Sequence, residues 1–197
     1  MNQLNCTTMV AACEVVTANS VHFVYHTPMK QDERIDHPFG PTFNKNSRVL
    51  ILGSFPSVKT RAQAFPYGHP QNRFWPIISR ILEVDPPLLA TEPERTRRIL
   101  LEGKIAIWDS IASCRITGSS DSSIKDATPT DLGRIFEEAD IKMVFCNGAT
   151  SYRYYQRWQY KQFGREAILL PSTSPANAAW SMDRLYDTWK QIKDYLG

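Results

Sequence analysis

Residues 65 to 75 read FPYGHPQNRFW, and apolar residues at helical spacing, Ile77-Ile78 and Ile81-Leu82, follow at once. Pro70 fixes the local backbone, and Phe74 and Trp75 are suited to anchor it in a core. His69 and Asn72 are then polar groups held on a rigid base. An Asn amide donates and accepts hydrogen bonds together, so Asn72 can orient a water or hold a flat heterocycle by its edge. The same residue type is a good helix cap, and the segment alone leaves both readings open.

Two other segments have the make-up of ligand loops. GSFPS, Gly53 to Ser57, follows an apolar run. Its glycine permits a sharp turn or a close approach to a ligand, and Pro56 stiffens the chain. The plain alternative is a strand-to-loop turn. LPSTSPANA, Leu170 to Ala178, combines small hydroxylated residues with prolines. Its hydroxyls and free backbone N–H groups suit phosphate oxygens, and an ordinary surface loop is the plain alternative. Lys59, Arg61, Arg73, Arg115, Lys125, Arg153, Arg157 and Arg184 interleave with aromatic residues around these loops. That is the pattern of a phosphate-tracking surface. A rival chemistry would use Ser54 or Ser57 as nucleophile and His69 as base. The absence of a GxSxG elbow counts against it.

The elements that must position these residues alternate along the chain. Val49-Leu50-Ile51-Leu52 is a continuous apolar run, as for a strand buried on both faces. Ile105 to Trp108, Met143 to Cys146 and Ala167 to Leu170 are three more strands, the third of the four leading into Asn147-Gly148. A helix starts near Phe74, and a second runs from Pro93 to Glu102, capped by Thr91 or Glu92 and ended by Gly103. Thr130 is expected to cap a third helix carrying Leu132, Ile135, Phe136 and Ala139. A fourth carries Tyr152, Tyr155, Gln159 and Phe163, and a last one Leu185, Trp189, Ile192 and Leu196. Asp109 to Pro129 reads as a long polar loop, of a length usually tied to function or disorder. The expected fold is therefore α/β, three layers (α/β/α) around a central four-stranded parallel sheet. Ligands in such folds sit beyond the carboxyl ends of the strands, which singles out loops 53–73, 109–129, 147–150 and 171–178. Residues 1–40 read as an extension with one alternating run, Val21 to Tyr25, and 41–197 as the main domain.

Composition bounds the rest. The chain has 197 residues, 42% hydrophobic and 22% charged, with a net charge of +3. It suits one globular domain and permits a polyanionic partner. Cys6, Cys13, Cys114 and Cys146 form no CxxC pair, so zinc, iron–sulfur and disulfide frameworks are not expected. Cys114 and Cys146 follow apolar runs and read as buried thiols in a reducing compartment. No membrane span is expected, and Met9 to Val16, broken by Glu14, is a poor signal peptide.

Taken together, the segments resemble the uracil-DNA glycosylase superfamily. ILGSFPS looks like its first motif, HPQNRFW like a helix-entry segment, and LPSTSPAN like the second motif, the loop that enters DNA. The hypoxanthine-DNA glycosylase branch combines these with a stretch similar to WDSIASCRITGSSDSSI, Trp108 to Ile124. The resemblance covers about residues 40–197. Where several branches place a polar catalytic residue, this chain has Phe55, and where some place a His it has Leu170.

The resemblance implies a monomeric, cofactor-free and metal-free enzyme that excises deaminated bases from double- or single-stranded DNA. It implies a cytoplasmic, nucleoid-associated location, or a nuclear one in a eukaryote. Asn72, with His69 beside it, is implied as catalytic. Gly53, Ser54, Phe55, Pro56, Tyr67, Asp109 and Asn147 are implied to bind the base, Phe55 by stacking and Asp109 by accepting a ring N–H. Ser57, Lys59, Arg115, Ser172, Thr173 and Ser174 are implied to hold DNA, with Pro175, Ala176 and Asn177 as the wedge. A non-catalytic lesion-binding module and a uracil-specific or mismatch-specific enzyme are the alternatives.

Overall fold

A computed structural model describes residues 34–197, together with a short backbone pairing nearer the amino terminus. That pairing joins β1 (Val16–Thr17) and β2 (Ser20–Val21) antiparallel, within a unit spanning residues 1–31. The expected strand at 21–25 therefore begins in β2 and otherwise lies outside the described residues. The second unit, residues 32–197, carries everything described below.

Its elements run β3 (Arg34–Asp36), β4 (Val49–Gly53), α1 (Val58–Gln63), α2 (Phe74–Leu82), α3 (Pro93–Glu102), β5 (Ile105–Asp109), β6 (Ile111–Arg115), β7 (Lys125–Pro129), α4 (Gly133–Glu138), β8 (Met143–Asn147), α5 (Ala149–Arg157), α6 (Gln159–Phe163), β9 (Ala167–Leu170) and α7 (Met182–Trp189). The expected parallel sheet is present, four strands in the order β5-β4-β8-β9. Its strands bury side chains on both faces, which is why they read as unbroken apolar runs. Val49, Ile51, Ile105, Ile107 and Phe145 pack with α2, α3 and α7 on one side. Leu50, Leu52, Ala106, Val144 and Cys146 pack with Ile135 and Tyr155 on the other.

The segment 109–129 is not a loop. It holds β6 and β7, which join β3 in a three-stranded antiparallel sheet of order β3-β6-β7. Serine, threonine and charged residues fill these strands, so the period-2 signal is faint, and β7 is an almost wholly exposed edge. Ile111 and Cys114 face inward, against Phe55 and Tyr154. Residues 34–36 pair with 113–115, so this sheet takes in residues that precede position 41.

Local chemistry corrects three further boundaries. Ser57 caps a short helix, α1, absent from the sequence reading, its side chain accepting from Thr60 N–H at 3.2 Å. Thr130 does not cap α4: Asp131 Oδ1 accepts from Gly133 N–H at 2.8 Å instead, and the Thr130 hydroxyl is buried without a partner among the described residues. The helix expected over 152–163 is broken at Trp158, which stacks on Tyr154 at 4.8 Å. Beyond the break, the buried Gln159 amide donates to the carbonyls of Ser110 and Thr130 at 2.8 and 3.2 Å. It adds to the backbone bond from Thr130 N–H to Ser110 O, 3.1 Å, that closes the base of the hairpin.

Candidate active site

A cavity of about 630 Å³ opens where the carboxyl ends of the parallel strands meet the β6–β7 hairpin. Its size is that of ordinary ligand sites, roughly 300–1,000 Å³. Of the residues the sequence singles out, Gly53, Ser54, Phe55, Pro56, Ser57, Tyr67, Asn72, Asp109, Asn147, Ser172, Thr173, Ser174, Ala176 and Asn177 line it.

Gly53 and Asp109 end neighbouring strands β4 and β5, paired in register. A Cβ at position 53 would stand 2.1 Å from Asp109 Oδ1, so only glycine admits this carboxylate. Tyr67 holds a left-handed backbone, φ 55°, that costs a tyrosine about 1–2 kcal/mol. It is retained by stacking on Phe74 at 3.6 Å. Its buried hydroxyl is driven far up in pKa by burial and then by the Asp109 charge, against an opposing side-chain hydrogen bond with Asn147. At neutral pH it is a phenol, a donor facing an acid-lined wall.

The two ends of the Asn72 amide differ in their surroundings. Its Oδ1 accepts from Phe74 N–H at 3.0 Å, tying down the first turn of α2. Its Nδ2 has no partner within the protein among the described residues and belongs to a side chain on the cavity wall. His69 is not on that wall. Its Nδ1 accepts from Gln71 N–H at 3.1 Å, which braces the turn. The serine-nucleophile reading fails on the same geometry: Ser54 Oγ donates to Asp121 at 2.8 Å and Ser57 Oγ to Thr60 at 3.0 Å, neither to an imidazole.

The loop after β9 is shaped by its own polar groups. Asn147 and Thr173 exchange two hydrogen bonds, Nδ2 to Oγ1 and backbone N–H to Oδ1, both 2.9 Å. Thr173 is fully buried, so its hydroxyl does not reach a phosphate. Ser172 Oγ accepts from Ser174 N–H, Ser174 Oγ from Ala176 N–H, and the Asn177 amide donates to Ser172 O. Ala176 is left as an exposed residue of the loop, with Pro175 half-buried beside it.

Arg73 faces inward here as well. Its guanidinium donates to the carbonyls of Ser174 and Asn177 at 2.7 and 2.9 Å and to that of Trp180. It clamps the loop and leaves the basic surface. Arg61 likewise donates to Pro56 O at 2.7 Å, Arg184 lies over Trp180, and Arg115 pairs with Asp126 on the hairpin. Lys59 is exposed on α1, and Arg153 reaches the cavity wall from α5.

Asp121, at the tip of the hairpin, is a wall residue that sequence reasoning passed over. Burial raises its carboxyl pKa, against the opposing hydrogen bonds of Ser54 and Thr150. The signal was present in GSSDSSI, a polar carboxylate inside a recognised stretch, but the hairpin that carries it to Ser54 was not legible. His37 was missed for the same reason, since it follows β3.

The model of the uracil DNA glycosylase superfamily matches residues 41–195. The chain belongs to the uracil DNA glycosylase superfamily. A Methanosarcina barkeri protein named hypoxanthine DNA glycosylase is 32% identical over 141 residues, 71% of this chain and 86% of that protein. Its namesake from Methanosarcina acetivorans is 28% identical over 151 residues, covering 76% and 93%. A solution NMR structure of a Methanosarcina acetivorans protein, provisionally assigned as a uracil DNA glycosylase, superposes with a TM-score of 0.67 at 27% identity, over 80% of this chain and 96% of that one. The chain has no group of three or more candidate metal ligands and no helix long and apolar enough to cross a membrane, among the described residues.

Proposed function

We propose that this protein is a monofunctional DNA glycosylase that removes hypoxanthine, and with it other deaminated bases, by hydrolysing the bond between C1′ and the base nitrogen. The observation that carries the reading is the Asp109 carboxylate laid over Gly53 at the end of the parallel sheet. It supports base recognition because a ring N–H is what such an oxygen binds. The two relatives named hypoxanthine DNA glycosylase support the substrate.

An everted nucleotide enters the cavity, at an unstacking cost of a few kcal/mol that is smaller at a mismatch. Phe55, buried but on the wall, offers its face to the base. The Asn72 Nδ2 donor orients the base or the attacking water. The bond to C1′ breaks with its electron pair leaving on the base. Water adds its oxygen to C1′, and Asp121, a carboxylate held by Ser54 beside Phe55, takes the water's proton. That proton is returned to the departing base, so water is the only co-reactant. No lysine lines the cavity, and an abasic site with intact strands is the product.

Incubation with duplexes carrying inosine, uracil or xanthine, followed by alkali and product sizing, tests this. Inosine strands are expected to be cut only after alkali. Tight binding of the inosine duplex without an abasic product would leave a lesion-binding module instead.

A further inference from the structure

His37 precedes the family-matched residues 41–195. Its ring is 5% exposed, set 4.7 Å from Phe39, 4.1 Å from Trp108 and 5.8 Å from Phe55. Both of its nitrogens meet oxygens: Nδ1 lies 2.9 Å from the Phe39 carbonyl, Nε2 2.8 Å from Asp109 Oδ2.

A carbonyl oxygen only accepts, so Nδ1 carries a hydrogen. In a neutral ring Nε2 would then be a bare lone pair pointed at a carboxylate oxygen, which repels it. A contact of 2.8 Å needs a proton between them. That proton sits either on the imidazole, against a carboxylate, or on Oδ2, against a neutral imidazole. In both placements Oδ1, the oxygen over Gly53, carries none.

We infer that His37 and Asp109 hold one proton between them, and that this proton keeps Asp109 Oδ1 a pure acceptor that reads the ring N–H created by deamination. Adenine N1 and cytosine N3 are lone-pair acceptors. In hypoxanthine and uracil the same ring positions carry N–H. An oxygen that cannot donate bonds to these two and repels adenine and cytosine, so discrimination comes from the unfavourable contact as well as the favourable one. His37 is a positioning residue here, acting through Asp109, and the role rests on the glycosylase reading above.

Two measurements test it. In the unliganded protein, two-bond proton–nitrogen spectra at neutral pH are expected to show both His37 nitrogens bearing hydrogen, or one downfield proton shared with Asp109. A bare Nε2 with no downfield proton shared with Asp109 overturns the inference, whatever the enzyme cleaves. In single-turnover assays, His37→Phe is expected to lower inosine excision about 10- to 100-fold, the loss of one charge-assisted hydrogen bond. Binding to a duplex with an abasic-site analogue, which offers no base to read, is expected to hold. His37→Gln, which keeps an N–H for Oδ2, is expected to recover part of the rate. Unchanged excision in His37→Phe, equal loss of abasic-duplex binding, or a glutamine variant no better than phenylalanine overturns it. Should His37→Phe fail to fold, the spectra and the glutamine variant decide. Wild-type protein that cleaves none of the three bases would refute the glycosylase reading and leave the proton measurement standing.

Discussion

At the scale of single residues, the two ends of the Asn72 amide have different tasks. Oδ1 holds Phe74 N–H at 3.0 Å, and Nδ2 makes no hydrogen bond within the protein among the described residues. Alanine removes both, so its effect mixes folding with chemistry. Aspartate separates them, because it keeps the acceptor and lacks the donor. Asn72→Ala is expected to cost about 1 kcal/mol of stability, the net worth of one such hydrogen bond. Asn72→Asp is expected to keep that stability in urea melts and still lose about 100-fold or more in single-turnover excision. Near-native rates in the aspartate variant would remove the amide from the mechanism. The residues themselves were legible: Gly53, Asn72, Asp109 and Asn147 stand in segments whose composition is awkward for any plain loop, and all reach one wall. What could not be read was which end of each side chain is already occupied. Thr173 and Arg73 look like phosphate ligands in sequence and are bonded internally in the structure.

Among the elements, the parallel strands announced themselves, since burial on two faces demands apolar runs. The β6–β7 hairpin did not, because one of its strands is an exposed edge of Lys, Asp and Thr. Missing it hid Asp121, which lines the cavity from that sheet, and His37, which meets Asp109 from it. The 171–180 loop shows a related limit. Its shape depends on Arg73, about a hundred residues away, whose planar fork meets several carbonyls at once. Arg73→Lys is expected to destabilise the protein by about 2 kcal/mol in urea unfolding, because an ammonium cannot serve those carbonyls together. It is expected to lower excision more than it lowers binding of an undamaged duplex. A lysine variant with a native unfolding midpoint would show that the loop holds its own shape.

At the scale of the molecule, the thiols of Cys146 on β8 and Cys114 on β6 are fully buried. Burial pushes Cys146 up to about 12 and Cys114 up to about 11. In the unfolded chain such thiols ionise near roughly 8.5. Their folded values are raised, so the stability they contribute is fully present below that point and is lost as pH climbs through the folded values. The melting temperature is expected to be level from neutral pH to about 9 and to fall steeply towards 12, followed by circular dichroism. Replacing both cysteines by alanine should flatten part of that decline.

The bonds from Arg73 to residues 173–180 have one more consequence. Asn72 is the adjoining residue, so the ledge and the loop behave as one part, without a slack joint. A duplex that seats the loop badly carries the amide out of line with it. Fidelity then begins with how the nucleic acid is gripped, before any base has been inspected.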